Sequence, residues 1–329
     1  MTILSLDFMQ RALLAALFTG LAAPAVGTYL VQRRLALMGD GLGHVALTGV
    51  ALGLLTGWAP VWTAVIVATL GATAIELVRE RGRASADVAL AMLFYGGIAG
   101  GVLLTGLAGS TAATLNTYLF GSITTVSTTD LWVIVVLAAI LVVLAVGLGP
   151  QLFAVCQDEE FARAVGLPVR AYNLLIAVMA AVTVTVAMRT VGLLLISALM
   201  VVPVATAQQL TRGFRGTFVL ALALGVIPSI AGVVFSYYVD VAPGASIVVI
   251  ALFGFLLAWP LGSLVRRRRA AVRSAESDAR LAGAHVAAEQ HAHQHDERCG
   301  HPGVPHEDHT DYLHGGHLHA QHGQHYDEH

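Results

Sequence analysis

Asp40 and His44 stand four residues apart in "LMGDGLGHVALTGVALG" (37–53), a stretch otherwise built from Leu, Met, Gly, Ala, Val and Thr. Positions i and i+4 of a helix share a face, so a carboxylate and an imidazole are brought together inside a segment apolar enough for a bilayer. Asp with His is a mixed oxygen and nitrogen donor set that suits first-row divalent metals. Ionisable groups in a membrane segment are costly and ordinarily face a protein interior or a water-filled path. A structural reading competes: Asp is a favoured helix N-cap, and His44 would then bond a neighbouring helix. Residue types and spacing leave both readings open.

A second chemical group lies at the far end, where thirteen of the 14 histidines fall between His285 and His329. "HAHQHDE" (291–297), "HEDH" (306–309) and "HGGHLHAQHGQH" (314–325) are metal-binding in composition. Neutral imidazoles are good ligands for zinc, nickel and copper, and a pKa of about 6.5 leaves most of them neutral in cytoplasm. The expected ligands of this weak site are His291, His293, His295, His317 and His319. "HEDH" is not HExxH, so no zinc-protease centre is implied. Apolar residues are scarce from 270 onward, so residues 270–329 are expected to form a disordered tail.

Long apolar runs must position the first pair. Only 12% of the chain is charged, its mean hydropathy is +0.75, and a membrane-spanning helix needs roughly 20 mainly apolar residues. Spans are expected at 12–32, 41–57, 58–75, 88–108, 131–150, 171–188, 190–210, 217–239 and 243–265. An eight-span variant would fold 41–75 as half-helices. The chain thus reads as an all-α polytopic membrane protein, with a transmembrane domain over 1–265 and the tail over 270–329. With nine spans, Arg33 and Arg34, Arg79, Arg81 and Arg83, Arg163 and Arg170, Arg212 and Arg215, and the run 266–269 all fall on one side, and only Arg189 departs. The positive-inside rule makes that side, and the C-terminus, cytoplasmic. The apolar run after "MTILSLDFMQR" has no basic leader before it and reads as a retained first span.

Glycines recur at four-residue spacing (Gly39/Gly43, Gly49/Gly53/Gly57, Gly96/Gly100, Gly97/Gly101), which lets membrane helices approach closely. Cys156 and Cys299 lie too far apart in sequence to suggest a disulfide framework or thiolate zinc site. Every basic residue is arginine, so no P-loop lysine exists and the chain has no Walker route to ATP hydrolysis. No nucleic-acid partner is expected.

One cytoplasmic loop stands out, "CQDEEFARAVGLPVRAYN" (156–173). Its leading acids suit a helix N-terminus, and Gly166 followed by Pro168 supplies a stop. Phe161, Ala164 and Val165 share one face. Such a helix is either a docking element for a partner or a solvated loop helix.

Four ordered segments carry a resemblance: "RRLALMGDGLGHVALTGVALG", "LNTYLFGSITTVSTTDL", "DEEFARAVGLP" and "VGLLLISALMVVPVATAQQL". Over about 8–264 the chain resembles the permeases of bacterial ABC importers for zinc and manganese, the family often labelled ABC-3. The resemblance implies a homodimer of permeases, two cytoplasmic ATPase subunits and an extracytoplasmic metal-binding protein, in a bacterial plasma membrane. It implies no permanently bound cofactor, only a transported divalent metal, zinc first and manganese second. Residues 158–167 would then be the coupling helix, with Asp158, Glu160, Phe161, Ala162 and Gly166 as its motif. Asp40 and His44 would line the translocation path, two such pairs meeting at the dimer axis. The rival is a self-sufficient secondary metal transporter or channel, which should carry more intramembrane acids than this chain does.

Overall fold

A computed structural model describes residues 6–80, 86–109, 117–122, 124, 126–188, 190–193, 195–260, 262, 299–306, 309–314, 317–322 and 325–328. They divide into two units, residues 1–262 and 263–329. The first is helical: α1 (Asp7–Gln32), α2 (Met38–Thr56), α3 (Pro60–Glu80), α4 (Ala86–Leu107), α5 (Thr128–Gly147), α6 (Gly149–Gln157), α7 (Glu159–Ala164), α8 (Val169–Ala187), α9 (Ile196–Leu210) and α10 (Phe214–Val239). Helix α11 (Pro243–Pro260) closes it.

Among the described residues, 8 helices are long and apolar enough to cross a membrane, and α9 is the short one. The expected span 190–210 is therefore corrected to a helix over Ile196–Leu210, while 41–75 forms two full helices and no half-helices. At 1.5 Å per residue α9 is about 22 Å long, against a hydrocarbon core of about 30 Å. The missing length is irregular backbone at 190–193 and 195, with Thr190, Val191 and Leu193 buried. Non-helical backbone at that depth survives only where protein covers it. Here the "YLFG" segment covers it, the Leu193 amide donating to the Tyr118 carbonyl at 2.9 Å.

Four glycines make that cover possible. A Cβ at Gly121 would collide with the Thr190 carbonyl, one at Gly192 with the Leu119 carbonyl, and one at Gly244 with the Val191 carbonyl. At Gly43 a Cβ would come within 2.9 Å of the Leu193 carbonyl oxygen. Gly121 and Gly192 also sit at φ 75° and 89°, a region that L side chains avoid.

Helix α1 is the axis of the bundle, with one face buried from Met9 onward and every residue buried from Ala22 to Leu30. The chain alternates in direction across it. Arg11 near the start of α1 donates to Thr128 at the start of α5, whereas Arg33, just past the end of α1, reaches Glu76 near the end of α3 and Glu159 of α7. The charged cluster and the 156–173 loop therefore share one end. All four tryptophans, Trp58, Trp62, Trp132 and Trp259, are exposed near helix ends, as expected of residues anchored at a membrane interface.

In the second unit the described residues are 299–306, 309–314, 317–322 and 325–328. β1 (Gly303–His306), β2 (His309–His314), β3 (His317–His322) and β4 (His325–Glu328) form an antiparallel meander in the order β1-β2-β3-β4. Two-residue connections suit tight hairpins. Residues 270–298 lie outside those described.

Gly192→Val should destabilise the first unit by roughly 3 kcal/mol, combining positive-φ strain with a backbone clash. Thermal unfolding of the purified protein in detergent, compared with Gly96→Val at a site where an added Cβ meets nothing, checks this.

Candidate functional site

Helix α2 begins only five residues after α1. Its N-cap is Leu37, with no side-chain cap, and Asp40 lies inside the first turn. The capping role is thereby excluded for Asp40. Among the described residues its carboxylate has no hydrogen-bond or ion-pair partner, and it is half-buried. His44 is half-buried one turn further, its ring edge-on to Phe94 of α4 with centroids 4.5 Å apart. Gly97 lets α4 press on that turn, since a Cβ there would lie 2.6 Å from the Val45 amide nitrogen and 2.9 Å from His44 Cβ. Thr48 Oγ1 donates to the Gly97 carbonyl at 2.8 Å and completes the contact. Asp40 and His44 thus keep one helix face, without bonding each other, beside the close-packed α2–α4 seam. Among the described residues no three His, Cys, Asp or Glu side chains converge on one point.

The loop 156–173 folds as the residues dictate. Asp158 is the N-cap of α7, accepting from the Glu160 and Phe161 amides at 2.9 and 3.0 Å. At the other end Gly166 turns left-handed at φ 84°. Its amide donates to the Arg163 carbonyl and the Leu167 amide to the Ala162 carbonyl, the paired bonds of a Schellman stop. Ala162 faces inward, fully buried against Val155, Leu167, Val169 and Tyr172. Of the expected docking residues it is therefore the anchor, while Glu160, Phe161 and Val165 are exposed. An exposed Phe and Val on a helix fixed from behind make a surface a partner can push against.

Sequence reasoning treated Arg33 only as an orienting charge and passed over Glu76 and Glu159. The structure joins them. The Arg33 guanidinium, 4% exposed, donates to Glu159 at 3.0 Å and stands 3.9 Å from Glu76, itself 7% exposed. Arg79 binds Glu76 at 2.6 Å, and Asn173 of α8 and Arg163 both donate to Glu159 at 3.1 Å. Arg170 pairs with Glu80. Burial pulls the Arg33 pKa down, Arg79 adds to that, and Glu76 and Glu159 oppose it. The signal available in the sequence was the i, i+3 pair Glu76/Arg79 at a span's end.

In the sheet, the backbone register sets His306 opposite His309, His314 opposite His317 and His322 opposite His325, one histidine pair closing each hairpin. His319 is buried opposite Tyr312. His291, His293 and His295 lie outside the described residues.

The pattern described as the ABC 3 transport family matches residues 5–261. The chain belongs to the ABC 3 transport family. It is 36% identical over 258 residues to "Manganese transport system membrane protein MntC" of Halalkalibacterium halodurans, covering 78% of this chain and 88% of that protein. It is 36% identical over 262 residues to "Probable metal transport system membrane protein" of Treponema pallidum, covering 79% and 98%. A solved structure, "PsaBC from Streptococcus pneumoniae in complex with Fab", superposes with a TM-score of 0.71 at 32% identity, over 78% of this chain and 92% of that one. This permease is thus a multi-pass membrane subunit of a metal ABC transporter, and the family accounts for the first unit, not the histidine-rich second.

Burial pushes the Cys156 thiol up to about 12, against the pull of Arg33, and its Sγ donates to the Tyr29 carbonyl. The thiolate is the reactive form, so below pH 9 Cys156 of the folded permease should resist maleimide, and denaturation should expose it. Mass spectrometry of labelled peptides checks this.

Proposed function

We propose that this permease passes a first-row divalent metal inward, with Asp40 and His44 as ligands along the path. The observation that carries the reading is Asp40 itself: a carboxylate in the first turn of a membrane-length helix that is not its N-cap, has no partner among the described residues and lies one turn from an imidazole. One chain supplies two donors, and a second copy bringing its own pair would make four, enough for a zinc or manganese ion. Manganese in the names of relatives moves it ahead of the zinc expected from the sequence, and the donor set suits both. The exposed ridge of Glu160, Phe161 and Val165 takes the ATPase subunit, and an extracytoplasmic metal-binding protein delivers the ion. The grouping of arginines supports a cytoplasmic position for that ridge and the C-terminus in a bacterial cell.

Asp40→Asn keeps the shape and removes the charge that holds a dication. Uptake of radioactive manganese and zinc by cells expressing the importer should fall at least about tenfold at unchanged membrane abundance, and His44→Gln should do likewise. Normal uptake by both variants would defeat the ligand assignment.

The second unit is proposed as a metal buffer beside the transporter. The backbone register that sets His306 opposite His309, His314 opposite His317 and His322 opposite His325 supports this, beside the expected set of His291, His293, His295, His317 and His319. A stop after Arg269 removes all of them and spares every span. Uptake at limiting metal should persist, with the difference confined to abundant zinc. Complete loss of uptake by a stably expressed truncation would make the tail part of the path.

A further inference from the structure

From the ion-pair cluster at the charged end of the bundle we infer that Arg33 is the relay that carries movement of the docking helix α7 to the metal-bearing helix α2. The inference rests on the reading of α7 as the ATPase docking element.

The geometry has three parts. Glu159 opens α7, and its Oε1 takes both Arg33 at 3.0 Å and Asn173 at 3.1 Å. Glu159 is thus the polar strut between the docking helix and the transmembrane helices. Arg33 is the capping residue at the C-terminal end of α1, and its guanidinium is almost completely withdrawn from solvent between two acids. In such surroundings an ion pair is held far more strongly than in water, and the planar fork gives it direction.

The third part is the link from Arg33 to α2. It is no slack loop: Leu35 is buried, its amide donates to the Leu30 carbonyl at 2.8 Å, and the Met38 amide donates to the Leu35 carbonyl at 2.9 Å. Arg34 is locked at φ 58°. Asp40 follows in the first turn of α2. A displacement of Glu159 therefore reaches the first turn of α2 through one side chain and five fixed residues. Contact with Glu76 gives Arg33 a second acid to hold as Glu159 moves, which is what an element with two resting positions needs.

The test uses the complete importer, reconstituted with its ATPase and binding protein. Metal moved per ATP hydrolysed should fall about five- to tenfold in Arg33→Gln and in Glu159→Gln, the range of typical coupling energies. The double variant should be no worse than either single one, because both remove the same contact. Arg33→Lys, which keeps the charge and loses the fork, should fall between. Glu159→Gln leaves the Arg33–Glu76 contact in place and serves if Arg33→Gln does not accumulate. Additive losses, or unchanged metal per ATP in Glu159→Gln, would overturn the relay. Spin labels on Val165 and on Leu37 separate this from the premise. In the wild type both should move on ATP trapping, and in Glu159→Gln only the first. If Val165 does not move in the wild type, the docking reading fails, and the relay with it. If Leu37 still moves in Glu159→Gln, the relay alone fails.

Discussion

In hydrocarbon no water is available to a backbone amide or carbonyl, and the helices of this molecule are arranged around a break that leaves those groups open. The irregular backbone at residues 190–193 and 195 interrupts what composition reads as a single span. Its carbonyls and amides lie against protein because Gly43, Gly121, Gly192 and Gly244 bring three other chain segments to within backbone distance. Each of those glycines belongs to a different segment, so the local break ties together α2, the "YLFG" segment, the start of α9 and α11. Any side chain there would hold the covers off and leave polar backbone in lipid, at several kcal/mol per group. The same packing fixes α2, and α2 carries Asp40 and His44.

Helix α7 solves a related problem on a smaller scale. A helix of six residues has no stability of its own. It persists because Asp158 caps one end, Gly166 closes the other, Ala162 is sunk into a small apolar cluster and Glu159 is held by Arg33 and Asn173 from elsewhere and by Arg163 of the same helix. What it leaves outward is a rigid apolar ridge. Fixing from behind and exposure in front are both needed if force from an ATPase is to reach the membrane helices.

Much of this was legible in the sequence. Apolar runs gave the membrane helices to within a few residues, because burial in lipid leaves no other way to satisfy the backbone. Gly166 and Asp158 announced the limits of α7, since capping chemistry is local. The exposed face of Phe161 and Val165 followed from helical spacing. What escaped was non-local. Hydropathy does not distinguish a buried coil from a helix, so 190–195 was read as helix. The Arg33–Glu159 contact joins residues 126 positions apart, and no spacing rule reaches that far. Spacing leaves a capping role open for Asp40, and only the start of α2 at Met38 closes it.

The placement of the tryptophans has a spectroscopic consequence. Trp58, Trp62, Trp132 and Trp259 are between 51% and 68% exposed, and none belongs to the core. Intrinsic fluorescence from this permease reports on the lipid or detergent at the two rims of the bundle, not on its interior. A change of bilayer thickness will shift the emission, whereas loosening of the core around α1 will pass nearly unseen.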